Sequence, residues 1–521
     1  MAVLPLWHEV QLLSIFFQNP FLVVSVFLIS LVLLFIQISR RSNGKLNLPP
    51  SPPRLPIIGN LHQLGSLLHQ SLQQLSQNYG PDLLLLHLGK TPTIVVSSAD
   101  LVREMIKSHD VAFSNRSHST ATDFLLYGSK DVSFSNYGEY WRQVRKVIVV
   151  ELLSMKRVQQ FQFVRDEEVT LLVNKVRKAS LNGDSVNLSD MFFGTSNNIV
   201  SRIVIGQSIA ELEDGKNRFG ELSKRLMSQL VEFSVGDFFP RLKWIDVVRG
   251  FIGRLKSTFV ELDSFFNKVI EQHEAVLESD HDCGSDSNKD FVNILLRLRK
   301  DGMLDFEFTR NDLKAILVDM FLGASDTTST TLEWLMAELM KNPNVMNKAQ
   351  EEVRRVVGEK ANIDMNDINE MSYLKCVIKE NLRLHPAAPL LVPRETMRDV
   401  EIRGYHIPAK TKVVINAWAI QRDTRSWDRP EEFIPERFEN SDVDFKGQDF
   451  QFIPFGIGRR GCPGVAFALA STEYVIANLL YWFDWKLPGG ALGEDLDMSE
   501  VNALTVTKKL PLRLLPIPYY P

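Results

Sequence analysis

The chain has 521 residues, of which 45% are hydrophobic and 23% are charged, as is usual for a globular protein. Its formal net charge of -4 argues against nucleic acid as the main partner, because phosphate binding requires an excess of basic residues. The three cysteines, Cys283, Cys376 and Cys462, are far apart and show no zinc-binding spacing. The composition therefore excludes a disulfide framework and fits a reducing compartment.

The N-terminal segment Phe21 to Ile38 is almost entirely apolar and is long enough to span a bilayer at ~1.5 Å per residue. No Lys or Arg precedes it, whereas Arg40, Arg41 and Lys45 follow it, so the positive-inside rule places the rest of the chain in the cytosol. A cleaved signal peptide is the alternative, but the basic n-region and the small-residue cleavage site that it requires are absent. We predict that residues 1-45 form a membrane anchor and its flank.

A proline-rich hinge, Leu48 to Pro56, lies within residues 46-60 and is expected to be stiff and extended. The next patterned segments predict a helix, the two strands of a hairpin and a second helix, in the order Ser66 to Tyr79, Leu83 to Leu88, Thr93 to Val96 and Ala99 to Lys107. From Asp110 to Asn136 the sequence has no sustained period. We predict a long functional loop there, because loops of that length within a folded domain usually carry function.

Trp141 and Arg145 open the next predicted helix and share one of its faces, since they are four residues apart. Taken alone, this pair fits an amphipathic surface helix with a partly buried tryptophan. The region Val158 to His273 is predicted to be mostly helical, and the polar stretch Glu278 to Lys289 is predicted to be a solvent-exposed loop. This loop does not indicate a domain boundary, because nothing after it begins a self-contained pattern.

The longest predicted helix runs from Phe308 to Leu339, with Asn311 as its expected N-cap. Its centre, Gly323 to Thr330, contains a glycine and four consecutive hydroxyl residues. Because hydroxyl side chains can bond to carbonyls one turn earlier, we predict a local distortion and a groove at this point. A core helix that tolerates Ser and Thr is the alternative.

Another predicted helix, Ser372 to Leu384, carries Glu380 and Arg383 three residues apart. Such a pair is usually a solvated ion pair and is weak evidence by itself. An extended segment that contains Arg394 follows this helix.

The most informative stretch is Pro454 to Gly464, which contains four glycines, two arginines and Cys462, ahead of the predicted helix Val465 to Leu480. Pro463 fits the first helical position, so Cys462 is expected at or next to the N-cap, where the helix dipole and free N–H groups would stabilise its thiolate. The forked donor of Arg460 suits a carboxylate. Together these features indicate a metal cofactor with acidic side groups; the alternative is a glycine-rich turn with an inert cysteine.

The spacing of this stretch resembles the heme-binding loop of the cytochrome P-450 superfamily, whose pattern F-x-x-G-x-R-x-C-x-G is complete at Phe455, Gly458, Arg460, Cys462 and Gly464. Four further motifs stand in the family's order: the proline hinge, W-x-x-x-R, the Asp326-Thr327 helix, and E-x-x-R with P-E-R-F. The particular residues within these motifs are similar to those of plant microsomal enzymes of specialised metabolism. The resemblance predicts a mainly α fold with small β-sheets (α+β), with a single heme-thiolate catalytic domain over residues 61-521 behind the transmembrane helix.

The resemblance also implies roles for individual residues. Cys462 would be the thiolate ligand of the iron of heme b (iron protoporphyrin IX), and the expected cofactor-binding residues are Trp141, Arg145, Arg394, Phe455, Arg460, Cys462 and Gly464. Asp326 would relay protons and Thr327 would hold the bound oxygen or its water, while Ala324 stands where the family usually has glycine. Glu380, Arg383 and Arg437 would form a buried structural triad.

The implied reaction inserts one oxygen atom from O2 into a hydrophobic small molecule, such as a terpenoid, a phenylpropanoid or an alkaloid precursor. The expected pocket residues are Phe124, Phe321, Leu322, Ala324, Leu391 and Leu504. Electrons would come from an NADPH-dependent reductase in the same endoplasmic reticulum membrane, since the chain has no flavin or dinucleotide fingerprint.

Two alternatives belong to other functional classes. A heme-thiolate isomerase or dehydratase would act without O2, but the alcohol of Thr327 and the compact cysteine loop argue against it. A non-catalytic heme-binding protein would leave Asp326, Thr327 and the membrane anchor without a purpose.

Overall fold

The structure is a computed structural model that describes residues 46–208, 218–279, 290–303, 306–501 and 503–520, together with positions 21, 23–28 and 30. The predicted membrane anchor lies mostly outside these residues, although its described positions between 21 and 30 are helical. Cys283 and most of the predicted solvent loop around it also lie outside the described residues.

The described chain is mainly helical, as predicted. Its helices up to residue 300 are α1 (Leu68–Tyr79), α2 (Ala99–His109), α3 (Thr120–Leu125), α4 (Glu139–Val147), α5 (Met155–Gln160), α6 (Gln162–Asn182), α7 (Leu188–Ile205), α8 (Arg218–Leu230), α9 (Val235–Phe238), α10 (Trp244–Val248), α11 (Phe251–Ser279) and α12 (Phe291–Lys300). The later helices are α13 (Arg310–Lys341), α14 (Pro343–Val357), α15 (Met365–Glu370), α16 (Ser372–Leu384), α17 (Ala417–Ile420) and α18 (Val465–Trp482).

Short strands form small sheets at the edges of the helical body. The strands are β1 (Leu83–Leu88), β2 (Thr91–Val96), β3 (Asn115–Arg116), β4 (Val186–Asn187), β5 (Arg394–Glu395), β6 (Val400–Ile402), β7 (Tyr405–Ile407), β8 (Lys412–Ile415), β9 (Phe483–Lys486), β10 (Glu500–Val501), β11 (Thr507–Lys508) and β12 (Arg513–Pro518). The largest sheet has the order β1-β2-β8-β5-β3, in which β2 and β8 are parallel. The predicted hairpin is confirmed, since β1 and β2 pair antiparallel with Leu83 opposite Val96.

Helix α13 passes through the centre of the body and packs on α7, α16 and α18. Most of its side chains are buried. The helix begins with a capping box, in which the Thr309 hydroxyl accepts from the Asp312 N–H and the Asp312 carboxylate accepts from the Thr309 N–H. The expectation that Asn311 is the N-cap is therefore wrong. The N-cap is Thr309, two residues earlier, and its capping box with Asp312 satisfies free N–H groups at the start of the helix.

The centre of α13 shows the predicted bonding of hydroxyl groups to the backbone. The Thr327 hydroxyl donates to the carbonyl of Gly323 (2.6 Å), and the Thr331 hydroxyl donates to that of Thr327 (2.8 Å). The helix is nevertheless continuous across this stretch. The hydroxyl groups thus share carbonyls with the helix without interrupting it.

The segment Asp110 to Asn136, predicted as one long loop, contains the strand β3 and the helix α3. Ser119 and Thr122 form a capping box that starts α3. A two-residue strand and a six-residue helix are too short to produce a period in the sequence, which is why the pattern did not reveal them.

At the other end of the chain, β10 and β11 pair antiparallel and form a separate two-stranded sheet. Among the described residues, only helix α18 is long and apolar enough to cross a bilayer, and most of it is buried in the core. Its apolar character therefore reflects its central position.

Candidate functional site

The cysteine lies in a tight loop in front of α18. The N–H of Cys462 donates to the carbonyl of Phe455 (2.8 Å), and the N–H of Gly464 donates to the Cys462 Sγ atom (3.3 Å). The helix begins at Val465 with Gly464 as its N-cap. Cys462 is therefore two residues before the N-cap, further out than predicted, because Pro463 and Gly464 form a separate turn.

The thiol of Cys462 is exposed to an internal cavity, although it lies deep in the protein. Burial raises its pKa, and the N–H of Gly464 and the charge of Arg145 offset only part of that rise. The N–H of Gly464 does stabilise the thiolate, as predicted, but burial has the larger effect on the pKa of the thiol. A metal cation bound by the sulfur would add to this stabilisation, since a thiol that binds a metal is deprotonated.

The cavity has a volume of about 270 Å³ and separates the cysteine loop from helix α13. Gly323, Ala324 and Thr327 line it on α13, and Cys462 lines it from the loop. The apolar side chains around it include Val132, Leu153, Val200, Ile203, Val204, Phe291, Met320, Leu391 and Leu469. The thiol and the Thr327 hydroxyl therefore belong to one largely apolar space.

Four arginines line the same cavity and form what we call the arginine cradle: Arg116, Arg145, Arg394 and Arg460. Each guanidinium has a hydrogen bond of 2.5 or 2.6 Å to a backbone carbonyl. These bonds orient the four side chains, but a carbonyl does not neutralise a positive charge.

The cradle is rich in positive charge that the described residues balance only in part. Burial lowers the pKa of all four guanidiniums, and repulsion from Arg394 and Arg145 also acts on Arg460, whose pKa falls to about 9. Arg116 and Arg394 are directly opposite each other on β3 and β5, where like charges destabilise a sheet. Asp110 lies 3.4 Å from Arg394, and Asp131 attracts Arg116. The cradle is therefore suited to a further anionic group in the cavity.

Arg116 was not predicted as a site residue, because it lies between Asp110 and Asn136, where the sequence has no sustained period. Its guanidinium donates to the carbonyls of Ser133 (2.8 Å) and Val392 (2.5 Å). Only the pairing of β3 with β5, which joins residues far apart in the chain, brings it beside Arg394.

Trp141 and Phe455, two other predicted cofactor-binding residues, lie differently with respect to the cavity. Trp141 is not among the described residues that line the cavity: its Nε1–H donates to the Val132 carbonyl (3.0 Å), and Arg460 lies over its ring, 4.3 Å from the centroid. Its direct contact with a cofactor carboxylate stays a prediction, and in the structure it supports Arg460. Phe455 lines the cavity and packs edge-on against Phe445.

Asp326 and Thr327 are neighbours on α13 but face different surroundings. The Thr327 hydroxyl faces the cavity, whereas the Asp326 carboxylate accepts a hydrogen bond from the Thr505 hydroxyl in the segment before β11. Burial raises the pKa of Asp326, and the bond from Thr505 and the charge of Lys224 lower it in part. The acid is thus held next to the cavity wall by a contact that the sequence did not reveal.

The three residues of the expected triad are in contact. Arg383 donates to both oxygens of Glu380 (2.7 and 2.8 Å), and Arg437 donates to one of them (3.0 Å). Glu380 and Arg383 are fully buried. Arg383 also donates to the carbonyls of Gln421, Pro430 and Glu432, so the network joins α16 to the segment before the cysteine loop.

The family model described as cytochrome P450 matches residues 49–514. This chain is a cytochrome P450. It is 54% identical over 525 residues to a phenylacetaldehyde oxime monooxygenase of Prunus mume, with 99% of this chain and 98% of the relative covered. It is 47% identical over 473 residues to the strychnine-11-hydroxylase of Strychnos nux-vomica, with 90% and 91% covered.

A solved structure supports the fold. The zebra fish cytochrome P450 with abiraterone matches with a TM-score of 0.73 and 24% identity, and the match covers 88% of this chain and all of that chain. The predicted P450 fold and the heme-thiolate monooxygenase class are therefore confirmed, and neither alternative class is supported.

The cavity of this P450 fits heme. An open thiol is available as an iron ligand, and the positive charge of the cradle suits the two carboxylates of the porphyrin, with largely apolar side chains around the remainder. Gly464 lies next to the sulfur, and a Cβ atom at this position would be in ordinary van der Waals contact with Sγ at 3.8 Å.

The six residues predicted for the substrate pocket are only partly brought together. Ala324 and Leu391 line the cavity. Phe321 is buried against Phe219 and Phe266, away from it, and the remaining three, Phe124, Leu322 and Leu504, are not among the described lining residues. The lining contributed by α7 was missed, since its apolar residues have the same spacing as any core helix.

Proposed function

We propose that this P450 inserts one oxygen atom from O2 into a compact, mainly apolar aromatic molecule, such as an aldoxime or another precursor of a plant specialised metabolite. The largely aliphatic wall around Thr327 carries this proposal, since it offers few fixed polar partners to a substrate. The relatives named above act on molecules as different as an oxime and strychnine. The 54% identity over the whole length favours the oxime class.

The residues of the chain have separate proposed tasks. When bound, heme supplies the oxygen chemistry, because its thiolate ligand favours cleavage of the O–O bond. Thr327 directs its own proton to the Gly323 carbonyl, so its hydroxyl presents lone pairs to the cavity and accepts a hydrogen bond there. Asp326, whose carboxylate accepts a hydrogen bond from Thr505, relays protons to the part of the cavity next to Thr327. The arginine cradle holds the cofactor carboxylates, and the Glu380 network fixes the segment before the cysteine loop.

We also propose that an apolar face of the body rests on the endoplasmic reticulum membrane, next to the anchor. Ile57 of the hinge and Val248 of α10 are 73% and 77% exposed, and Trp244 and Val247 are exposed beside Val248. The turn between β1 and β2 links the two regions: the Gly89 N–H donates to the Ile58 carbonyl of the hinge, and the Lys90 N–H donates to the carbonyl of Phe238, six residues before α10. The catalytic body would then be cytosolic, and an NADPH-dependent reductase would dock on the side of Cys462.

A reconstituted assay tests the substrate proposal. The purified P450, a plant reductase and NADPH are supplied with a panel of aromatic aldoximes, phenylpropanoids and alkaloids, and NADPH consumption is measured together with oxygenated product. We expect coupled turnover with aromatic aldoximes and weaker turnover with the bulky alkaloids. Coupled turnover only with large alkaloids would refute the proposed substrate class.

A further inference from the structure

The segment Asp131–Ser135 connects the arginine cradle to helix α13. On the cradle side its carbonyls accept from Arg460, with Ser135 at 2.5 Å and Val132 at 3.2 Å. The same Val132 carbonyl accepts from the indole of Trp141, as described above. The orientation of this one segment thus determines where two of the predicted cofactor-binding side chains lie.

On its other side the segment is held by a single carboxylate. The N–H of Val132 donates to Oδ2 of Asp319 (2.5 Å), and the hydroxyl of Ser133 donates to Oδ1 (2.7 Å). Asp319 and Ser133 both line the cavity. Asp319 therefore lies between the pocket wall and the segment that supports the cradle.

Asp131, at the start of the segment, makes side-chain contact with Asp319. It is fully buried, and its Oδ2 accepts from the N–H of Phe134 (2.9 Å). Its Oδ1 accepts no hydrogen bond from any residue that the structure describes. Two buried carboxyl groups in contact disfavour simultaneous ionisation, which favours a state in which the pair holds one proton. The unpartnered oxygen of Asp131 is the atom suited to carry it.

The surroundings act on Asp131 in opposite directions: the guanidiniums of the cradle favour its ionised form, whereas burial and the charge of Asp319 favour its protonated form. Arg116 and Arg460 face Asp131 from the cradle, and Tyr140 and Asp312 face the pair from the other side. Burial and the charge of Asp319 raise the pKa of Asp131. Burial also raises the pKa of Asp319, to about 6, because the donors from Val132 and Ser133 offset only part of it. Asp319 accepts two hydrogen bonds, whereas one oxygen of Asp131 has no described donor, so Asp131 is the partner suited to keep the proton.

We propose that Asp131 donates a shared proton to Asp319, and that this acid pair is a positioning device that couples the arginine cradle to the substrate pocket. The inference rests on the proposed role of the cradle in holding the cofactor carboxylates. It has a further consequence: cofactor carboxylates and an ionised Asp131 would compete for the same guanidiniums, so heme binding favours the protonated form of Asp131.

The pair predicts an asymmetry between two conservative variants. In Asp131→Asn the amide N–H replaces the acid O–H as donor to Asp319, so the segment stays in place. In Asp319→Asn one acceptor oxygen becomes an NH2 group that faces either the Val132 N–H or the Ser133 hydroxyl. Opposite the Val132 N–H the NH2 group would set two donors against each other, and opposite Ser133 it forces the hydroxyl to turn and accept; in both cases the bonds to a charged acceptor are lost.

The test is the rate at which purified holoenzyme loses heme to excess apomyoglobin at about pH 7.5. We expect Asp131→Asn to remain within about twofold of the wild type and Asp319→Asn to lose heme at least about tenfold faster. Glu307→Gln, which removes an exposed charge before α13, is the matched control and should match the wild type. Equal rates for the two Asp variants would overturn the proposal. Because heme release is read by absorbance, the result does not depend on which substrate the enzyme uses.

A spectroscopic measurement decides the proton directly and does not need the Asp319 variant to fold. The infrared difference spectrum between the wild type and Asp131→Asn at about pH 7.5 should contain the carbonyl stretch of a protonated carboxylic acid. A merely structural aspartate would show only carboxylate bands. Absence of the acid band would show that Asp131 is ionised and would overturn the shared proton.

Discussion

The hydroxyl of Thr505 donates a hydrogen bond to the carboxylate of Asp326 and so ties the segment before β11 to the middle of helix α13. Asp326 is otherwise buried, and Lys224 is the described cation that acts on it. A hydrogen bond that stabilises the charged form of an acid also fixes which way its oxygens point. Thr505 therefore positions the residue that we propose as the proton relay.

Replacing Thr505 by valine should disturb proton delivery without emptying the pocket. Val keeps the shape of Thr but cannot donate, and a hydrogen bond to a charged group is worth about 1.5–3 kcal/mol. We expect Thr505→Val to form several-fold more hydrogen peroxide per NADPH consumed, measured with the reductase and a turning-over substrate. Thr505→Ser, which keeps the hydroxyl, should stay close to the wild type. If serine and valine gave the same peroxide yield, the hydrogen bond would have no part in coupling.

The raised pKa of Asp326 predicts that its carboxylate lowers stability at neutral pH. Because the folded state binds this proton more tightly than the unfolded chain, stability falls as pH rises from the unfolded pKa of about 3.9 through the folded pKa. Asp326→Asn should therefore have a higher apparent Tm than the wild type at about pH 7.5, and this advantage should disappear towards about pH 4. The exposed Glu307→Gln serves as the control, with no such pH-dependent difference. A destabilised Asn variant at neutral pH would contradict the prediction.

The Glu380 network should be essential for stability although it takes no part in the chemistry. Glu380→Gln removes one charge from a buried network and leaves Arg383 without its ion pair, which typically costs about 3–5 kcal/mol. We expect a large loss of apparent Tm and of heme content in the purified protein. Arg429→Ala, which breaks the exposed pair of Arg429 with Glu432 nearby, should change stability by only about 0.5 kcal/mol. Equal effects of both variants would mean that the network is not specifically required.

The fold was predictable where the sequence has local periodicity or dense motifs. The helix Ser372–Leu384 and the hairpin of β1 and β2 have patterns long enough to be recognised, and the structure confirms them. The strand β3 and the helix α3 were not predicted, because each is too short for a period and depends on contacts from distant parts of the chain.

The site shows the same division. Cys462 was found because the spacing of its loop is distinctive, and the Glu380 network was found only through the family resemblance, since its E-x-x-R spacing is common. Arg116 and Asp131 were missed, since a single Arg or Asp in an irregular segment has no pattern, and their importance comes from Arg394 and Asp319, far away in sequence. The raised pKa of the Cys462 thiol was also unpredictable, because it depends on how deeply the folded protein buries the sulfur.

The methyl group of Ala324 should limit the space beside Thr327. Ala324 lines the cavity at a position where the family pattern usually has glycine. Ala324→Gly should tighten binding of bulkier ligands, measured as a lower spectral Kd, at a helix cost of about 1 kcal/mol in stability. Ala324→Val should weaken binding of the same ligands. An unchanged Kd in both variants would show that this wall does not contact the substrate.

Cys462 should be the only described cysteine on which the optical signature depends. Cys462→Ser replaces the thiol by a hydroxyl that ionises far less readily, so it should abolish the carbon-monoxide difference band of a thiolate-ligated ferrous heme. The cradle remains intact, so some heme should stay bound, which a total heme assay measures separately. The buried Cys376 on α16 provides the matched control, and Cys376→Ala should keep the band. An unchanged band in Cys462→Ser would refute the ligand assignment, whereas loss of the band in both variants would point to a damaged fold.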